Sequence, residues 1–261
     1  MSGPQRRVAV VTGAGRGLGR GIAMALAASG LDLVLGWHRD KEALADTVAA
    51  CRDQGAVVEE LQGDVTEPGT AEQLAALAQR AFGALDVWVN NAGVSVYAPV
   101  LDTSVAAMRR MVDVNLLGTF HGVQAAGRSM LDTATAGRIV NVASDLGVQA
   151  APGLGGYSAT KFAVVGLTQV AAVELGPAGI TVNAVCPGTV ETDMVLAEEQ
   201  AEAALHGIGL DDVRRRLLAA VPAGRLCTTE DVGRMIAWLA GPDAAYVNGQ
   251  ALCVNGGSVL H

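Results

Sequence analysis

Charged side chains and long apolar runs are both scarce in this sequence. Charged residues make up 17% of the 261 positions, while hydrophobic residues make up 51%. A chain this apolar buries a large core, which excludes disorder over most of its length. Every apolar stretch is interrupted by glycine, asparagine or charge, so we expect no transmembrane helix. The N-terminal residues contain no separate apolar region before a cleavage site, so we expect a cytoplasmic protein without a secretory signal.

Cysteine and histidine are also few, with four residues of each type. The cysteines form no C-x-x-C pair, and we therefore expect reduced thiols rather than disulfides. The histidines are dispersed and show no metal-ligand spacing, so we predict no metal site. The residues concerned are Cys51, Cys186, Cys227, Cys253, His38, His121, His206 and His261.

Basic residues are outnumbered by acidic ones, which gives a formal net charge of -8. An acidic surface repels nucleic-acid phosphates and anionic lipid, so we expect neither as a partner. An anionic cofactor can still bind locally, where backbone N–H groups and a few arginines outweigh the global field.

Short β-branched runs alternate with longer stretches of helical spacing, such as 41–52 and 72–82. The predicted strands are Val8–Val11, Leu31–Trp37, Ala56–Leu61, Asp86–Asn90, Arg138–Val142, Ile180–Val185 and Gln250–Val254. Continuously apolar strands that alternate with helices indicate a parallel sheet covered on both faces. We therefore predict a doubly wound, Rossmann-like α/β fold of about seven strands. No linker divides the chain, so residues 1–261 are predicted to form one domain.

One segment departs from this alternation. Residues 189–226 follow a strand but are mostly helical and polar. In a doubly wound fold, ligands lie outside the carboxyl ends of the strands, where this segment begins. We predict that it is a substrate lid, because insertions this long are usually functional. A solvated excursion and an oligomer contact are the alternatives.

A glycine-rich loop follows the first strand and opens a helix. Glycine allows a tight turn and close approach to a diphosphate, and the helix N-terminus offers unpaired N–H groups to that anion. The context supports a dinucleotide site, although the spacing is T-G-x-x-x-G-x-G rather than G-x-G-x-x-G. The residues predicted to bind the dinucleotide here are Gly13, Gly15, Arg16, Gly17, Leu18 and Gly19.

Taken together, the motifs of this chain resemble those of the short-chain dehydrogenase/reductases, in their compact single-domain branch. The resemblance covers nearly the whole chain, and its elements keep the family's order and approximate spacing. They are TGAGRGLG at 12–19, Asp64-Val65, Asn90-Asn91-Ala92-Gly93, Asn115, Ser144, Tyr157-x-x-x-Lys161, Pro187-Gly188 and Val254-Asn255-Gly256-Gly257.

The resemblance implies four catalytic residues. Tyr157 would exchange a proton with the substrate oxygen, and Lys161, four residues later on the same helix face, would hold the nicotinamide ribose. We expect the ammonium to lower the tyrosine pKa from about 10, and a shift of about 3 units requires roughly 4 kcal/mol. Ser144 would hydrogen-bond the substrate oxygen. Asn115 would anchor a water that links Lys161 to solvent.

Each of these residues also has an ordinary structural interpretation. A tyrosine and a lysine four apart occur by chance on many helices. Ser144 alone would be a strand-end hydroxyl that caps a turn. Asn115 alone would be a buried amide that bonds neighbouring backbone.

The resemblance also implies further dinucleotide contacts. Asp64 would accept from the adenine amine, for which a turn aspartate is the alternative, and the Val65 N–H would donate to the ring. Small residues after the fourth strand would let the chain pass close to the adenosine, and residues after the sixth strand would contact the nicotinamide and diphosphate. The remaining predicted contacts are Asn91, Ala92, Gly93, Tyr157, Lys161, Pro187, Gly188, Val190 and Thr192.

The end of the second strand bears on the choice between NADP(H) and NAD(H). NAD enzymes of this fold place an acidic residue there for the ribose 2′-hydroxyl. Positions 36–38 hold no acid, and Arg16, His38 and Arg39 could bind a 2′-phosphate. We therefore favour NADP(H). The alternatives are that the two arginines are solvated charges, or that a shift in register makes Asp40 the NAD(H)-selecting acid.

The predicted activity is reduction of a ketone to a secondary alcohol by hydride transfer. The pattern resembles the 3-oxoacyl thioester reductases and related ketoreductases, while the longer lid is nearer to diol, sugar-alcohol or secondary-metabolite dehydrogenases. We expect pocket residues from 94–97, 145–156 and the lid. An epimerase or dehydratase using the same site and a non-catalytic NADP-sensing protein are the other hypotheses. The family usually forms tetramers, so the resemblance implies a homotetramer that pairs the Tyr157 helix and the helix starting near Thr103.

Overall fold

The computed structural model describes residues 6–260 and contains one seven-stranded parallel sheet. The strands are β1 (Val8–Val11), β2 (Asp32–Trp37), β3 (Val58–Gln62), β4 (Val87–Asn90), β5 (Arg138–Val142), β6 (Thr181–Pro187) and β7 (Ala251–Val254). Their order across the sheet is β3-β2-β1-β4-β5-β6-β7, with every neighbouring pair parallel. The predicted doubly wound α/β fold is confirmed.

Helices cover both faces of the sheet. They are α1 (Gly17–Ala28), α2 (Lys41–Asp53), α3 (Pro68–Phe82), α4 (Val105–Met111), α5 (Gly118–Asp132), α6 (Gly155–Leu175), α7 (Asp193–His206), α8 (Leu210–Ala219) and α9 (Thr229–Ala240). A π-helical segment, Val112–Leu117, joins α4 to α5. No helix within residues 6–260 is both long and apolar enough to cross a bilayer.

The first strand illustrates why both faces need cover. Val8 and Val10 belong to the core cluster packed with α3 and α5, whereas Ala9 and Val11 belong to the cluster packed with α1, α2 and α9. Successive strand residues point to opposite faces, so an all-apolar strand is satisfied only when helices lie on both sides.

The observed strand ends lie within two residues of the predicted ones. β6 extends two residues further than predicted, to Pro187. β3 is an edge strand, like β7 on the other side. Its Glu59 and Glu60 are exposed, which explains why it is less apolar than the central strands. The segment 189–226 contains α7 and α8, as its helical spacing predicts.

The sheet has a switch point between β1 and β4. From β1 the chain moves outward to β2 and β3, and from β4 it moves outward in the other direction to β7. The connections therefore leave on opposite sides, which opens a crevice at the carboxyl ends of β1 and β4. The motifs of the sequence converge on this edge.

Candidate active site

A cavity of about 1080 Å³ occupies the crevice at the carboxyl ends of β1, β2 and β4. Most residues predicted from the sequence to bind the dinucleotide line it. They are Gly13, Gly15, Arg16, Gly17, Leu18, His38, Arg39, Asp64, Val65, Asn91, Ala92, Gly93 and Thr192. The tertiary structure thus brings together positions separated by nearly 180 residues.

The glycine loop has the backbone that an anion cradle needs. Gly13 and Gly17 have φ values of +65° and +52°, which side-chain-bearing residues rarely adopt. A Cβ on Gly19 would lie 2.1 Å from the Gly13 carbonyl oxygen. Gly19 therefore lies beneath the loop and allows its close packing, rather than lining the cavity.

Asn91 holds this loop against the end of β4. Its Nδ2 donates to the carbonyl oxygens of Thr12 and Gly13, at 3.0 and 3.1 Å. In return, the Thr12 hydroxyl accepts from the backbone N–H groups of Asn91 and Ala92. These bonds fix the glycine loop relative to the 91–93 segment, so both walls of the cavity are set before a ligand arrives. Thr12 was not predicted as a site residue, because its role depends on pairing across the sheet.

The end of β2 presents basic side chains to the cavity, and the carboxylates of Asp40 and Glu42 follow them in its lining. Trp37 ends the strand, and His38 and Arg39 follow it. Asp40 is the N-cap of α2, where its Oδ1 accepts from the Ala43 N–H at 3.0 Å. The capping bond gives this carboxylate a structural task at the helix N-terminus.

Asp64 lines the cavity just after the end of β3. Its Oδ1 accepts from the N–H and hydroxyl of Thr66, and its Oδ2 lies 3.5 Å from His38 Nε2. Burial acts to raise the pKa of Asp64, but the bonds from Thr66 and the nearby charges of His38 and Arg110 lower it overall. Asp64 is therefore a turn aspartate, as its alternative interpretation held, and it also faces the cavity with an ionised group.

The start of α7 approaches the glycine loop from the other side. Arg16 Nη1 lies 3.2 Å from Asp193 Oδ2. Thr192 is the N-cap of α7, and a Cβ on Gly17 would lie 3.5 Å from its Cγ2. The first turn of the predicted lid thus contacts the predicted diphosphate loop.

The residues after β6 are placed beside this region. Pro187 ends the strand, the Gly188 N–H donates to the Val254 carbonyl oxygen at 3.0 Å, and buried Val190 forms a parallel bridge with Cys227. None of these three lines the cavity in the described part of the chain. Their predicted contacts with the nicotinamide stay predictions.

Tyr157 and Lys161 lie together on the first turns of α6. Lys161 Nζ is 5.5 Å from the centroid of the Tyr157 ring and donates to the Val142 carbonyl oxygen at 2.7 Å. The lysine is 4% exposed. Burial disfavours its ammonium form and lowers the pKa of Lys161 to about 8.

The structure corrects the expectation for the Tyr157 pKa. Burial raises it above its ordinary value, and the Glu198 and Asp145 carboxylates raise it further, while a hydrogen bond with Ser144 acts in the opposite direction. The sequence argument weighed positive charge near the phenol and missed the two carboxylates. In the protein alone, the phenol therefore stays protonated at neutral pH.

Ser144 follows β5 and lies next to the tyrosine. Its Oγ accepts from the Leu146 N–H at 3.1 Å, so it caps the short turn 145–147. It also donates to Asp145 Oδ1 at 3.2 Å and lies close enough to Tyr157 to act on the pKa of that phenol. The capping interpretation and the placement beside Tyr157 therefore both hold.

Asn115 lies within the π-helical segment and is completely buried. Its Oδ1 accepts from the Val94 N–H, and its Nδ2 donates to the Val94 carbonyl oxygen and to Thr160 Oγ1. A Cβ on Gly93 would lie 3.5 Å from Asn115 Oδ1 and 3.7 Å from Lys161 Nζ. Gly93 thus lies between the cavity and the polar atoms of Asn115 and Lys161, and it has no Cβ that would contact them.

Two further residues of this site did not emerge as contributors from the sequence. Arg110 lines the cavity, and Ser258 donates at 3.4 Å to Oδ2 of Asp145, which lies in the predicted pocket segment 145–156 and bonds Ser144. Arg110 and Ser258 carry no motif of their own, and only the folded chain brings them to the crevice. Among residues 6–260, no group of three histidine, cysteine or acidic side chains is arranged to hold a metal ion.

Known proteins of one family are similar to this chain. Residues 7–203 match the family model described as short chain dehydrogenase. L-2,3-butanediol dehydrogenase of Corynebacterium glutamicum is 37% identical, over 98% of this chain and 99% of its own.

Two solved structures are similar over nearly their full length. A variant of actinorhodin polyketide ketoreductase with NADPH is 36% identical with a TM-score of 0.92, over 99% of each chain. NAD+-bound xylitol dehydrogenase is 30% identical with a TM-score of 0.90, over 98% of this chain and 100% of its own. Both dinucleotides therefore occur among the similar structures.

Proposed function

Because the chain belongs to the short-chain dehydrogenase/reductase family, we propose that it reduces a ketone to a secondary alcohol with NADPH. Membership makes it an oxidoreductase that acts on CH–OH groups with NAD(P). We propose the preference for NADPH, the reducing direction of the reaction and the roles of the site residues. The dinucleotide, when bound, supplies the hydride.

The cavity fits such a dinucleotide. A Cβ on Gly13 would lie 2.9 Å from the Ala92 Cα, so the loop and the facing segment already approach as closely as backbone allows. Arg16, Arg39 and the N-terminus of α1 supply positive charge for phosphate groups.

The chemistry proposed for the protein is proton transfer at the Tyr157 hydroxyl. The raised pKa keeps the phenol protonated at neutral pH, so a proton is available when a carbonyl oxygen gains negative charge. Lys161 holds the ribose and adds positive charge nearby, and Ser144 positions the substrate oxygen. Asn115 shapes the 93–94 backbone around Lys161 and anchors the water through which the proton is replaced.

The single observation that carries NADPH over NADH is the capping bond of Asp40. Asp40, the first acid after β2, accepts from the Ala43 N–H and caps α2, and positions 36–38 hold no acid. His38 and Arg39 line that end of the cavity. A 2′-phosphate there would meet the Arg39 guanidinium, which would pair its charge.

Oxidation of a diol or sugar alcohol is the second candidate function. Two carboxylates, Asp145 and Glu198, act on the Tyr157 hydroxyl. Carboxylates accept hydrogen bonds from hydroxyl groups, so they favour a substrate that carries a second hydroxyl. L-2,3-butanediol dehydrogenase and xylitol dehydrogenase, by their names, act on such alcohols.

The proposal extends to the organisation of the protein. Residues 1–261 act as one domain, and 189–226 act as a lid whose first turn contacts the glycine loop through Arg16 and Asp193. The protein works as a homotetramer in the cytoplasm on a small carbonyl or alcohol substrate. Exposed apolar side chains on α6, Phe162, Val170 and Val173, support an interface there.

The test measures absorbance of the reduced nicotinamide with a ketone panel, using NADPH and NADH in parallel. We expect NADPH consumption and a KM for NADPH well below that for NADH. Arg39→Ala is expected to raise the NADPH KM about tenfold, as for loss of one charged hydrogen bond, with little change for NADH. Equal losses for both dinucleotides would contradict the 2′-phosphate contact.

Tyr157→Phe is the matched test of the reaction. Turnover is expected to fall 10²- to 10⁴-fold, the contribution of a general acid, while NADPH still binds. An unchanged rate would remove Tyr157 from the mechanism. Interconversion of epimers without net NADPH consumption would identify an epimerase, and binding without any turnover would identify a sensing protein.

A further inference from the structure

A chain of hydrogen bonds runs from Ser144, beside the catalytic tyrosine, to the C-terminal segment. Ser144 Oγ donates to Asp145 Oδ1 at 3.2 Å, and Ser258 Oγ donates to Asp145 Oδ2 at 3.4 Å. A turn at the end of β7 delivers the last of these, since the Ser258 N–H donates to the Asn255 carbonyl oxygen.

The single hydroxyl hydrogen of Ser144 is engaged in this arrangement. It points to Asp145, while Ser144 Oγ accepts from the Leu146 N–H. A serine hydroxyl offers one donor and two acceptor sites, so its only donor is used. Ser144 therefore has no hydrogen free for a substrate carbonyl while Asp145 is ionised.

Asp145 carries its charge without a partner cation. It is half-buried, and in the part of the chain described here it forms no ion pair. The titratable groups around it are Tyr157 from α6, Cys186 from β6, Cys253 from β7 and Cys227 from the segment before α9. None of these is a cation at neutral pH. Burial accordingly raises the pKa of Asp145 above its ordinary range, opposed by the bonds from Ser144, Leu146 and Ser258.

We propose that Asp145 is a positioning residue whose protonation turns the hydroxyl hydrogen of Ser144 toward the substrate. This inference rests on the proposed ketone reduction. A protonated Asp145 donates to Ser144 Oγ instead of accepting from it. The Ser144 hydrogen is then free for the carbonyl oxygen. One proton taken up by Asp145 thereby redirects the Ser144 hydrogen bond, and no bond between heavy atoms is formed or broken.

The direction in which ketone reduction changes with pH follows from this chain of hydrogen bonds. The protonated form of Asp145 is present below its raised pKa and is lost as pH rises through it. Ketone reduction is therefore favoured on the acidic side. The ionised form leaves Ser144 oriented toward the carboxylate, which suits a substrate alcohol that brings its own hydrogen.

The experiment compares kcat/KM for ketone reduction across pH in the full-length protein, wild type against Asp145→Asn and Asp145→Ala. The asparagine amide donates to Ser144 at every pH, so it mimics the protonated acid. Wild type is expected to fall about tenfold from its acidic to its neutral plateau, less than the 10²- to 10³-fold cost of losing an oxyanion donor. Asp145→Asn is expected to stay flat near the acidic plateau, and Asp145→Ala to stay flat and low.

Two results of this comparison would overturn the proposal. An Asp145→Asn profile that keeps the wild-type fall overturns the proposal, and so does an alanine variant equal to the asparagine one, since charge removal alone would then suffice. Ser258→Ala gives a second measurement with the carboxylate intact. Losing that bond should move the fall to higher pH, and an unmoved fall also overturns the proposal.

A control separates this idea from general charge effects and from the proposed function. Asp243 is an exposed acid in the turn after α9, and Asp243→Asn should leave the profile unchanged. A wild-type protein that turns over neither ketones nor alcohols would refute the proposed function itself. Normal wild-type turnover with an unchanged Asp145→Asn profile would refute only the role of Asp145.

Discussion

At the scale of single residues, the environment of Lys161 matters more than its spacing from Tyr157. The Nζ lies 5.5 Å from the tyrosine ring, yet burial lowers the pKa of Lys161 to about 8 and raises that of Tyr157. Desolvation disfavours the charged forms of both side chains, so in the protein alone the Tyr157 phenol keeps its proton. The ammonium is the group that titrates first as pH rises.

This order predicts an alkaline limit to activity. Ketone reduction should decline as pH rises through about 8, where Lys161 loses its proton. Lys161→Arg keeps a cation at all accessible pH values, so the decline should move upward in pH, even if the overall rate is lower. The measurement is kcat/KM against pH for both proteins, and an unmoved limb would assign it to another group.

The lowered pKa of Lys161 has the opposite effect on the stability of the fold. Lys161 binds its proton less tightly in the folded chain than in the unfolded chain, so between pH 8 and 10.5 the unfolded state holds more protons. Its contribution to the free energy of unfolding therefore rises across that interval, by at most about 3 kcal/mol. Activity and this stability contribution should diverge above pH 8.

At the scale of elements, α1 and α9 pack with their backbones in near contact. A Cβ on Gly233 would lie 2.8 Å from the Gly21 carbonyl oxygen and 2.9 Å from the Ala25 Cβ. Backbone atoms move away only when the helix moves, so the glycine sets the distance between the two helices. Because α1 begins at the glycine loop, this packing also fixes the wall of the cavity.

Gly233→Ala is therefore predicted to destabilise the fold. Overpacking costs about 1–3 kcal/mol, and the better helix propensity of alanine returns at most about 1 kcal/mol. Gly69→Ala in α3 is the matched control, since its Cβ would meet only the Gln73 side chain at 3.8 Å. Urea unfolding of both variants checks this, and equal midpoints would show that α1 and α9 readily adjust.

The π-helical segment has a related role on the other side of the cavity. An ordinary α-helix through Val112–Leu117 would turn Asn115 differently, and its amide would no longer meet both Val94 backbone groups. Such local departures from the α-helix are frequent at functional sites. Here the departure places a fully bonded amide beside Gly93 and Lys161.

At the scale of the whole molecule, apolar surface remains uncovered on α5 and α6. Val173 is 77% exposed and Val170 is 55% exposed. Isolated apolar side chains are common on surfaces, but several on neighbouring helix faces mark an interaction site. Closed symmetric assembly would bury them.

Val173→Lys is predicted to break the proposed homotetramer into smaller species without unfolding the chain. The buried ammonium would lack a counter-charge in the interface. Val57→Lys is the control, because Val57 is 56% exposed but lies before β3, away from α6. Analytical ultracentrifugation with circular dichroism measures both properties, and identical sedimentation of the two variants and wild type would contradict this interface.

The sequence alone determined the element order, the doubly wound sheet and the motif residues, because periodicity and glycine placement are local properties of the chain. It correctly placed seven strands within two residues and brought Gly13, Asp64 and Asn91 to one crevice through parallel topology. Only the tertiary structure decided what surrounds each polar group. The capping task of Asp40, the raised Tyr157 pKa and the Ser144–Asp145–Ser258 chain depend on desolvation and on contacts between residues up to 113 positions apart. Local spacing carries no information about either.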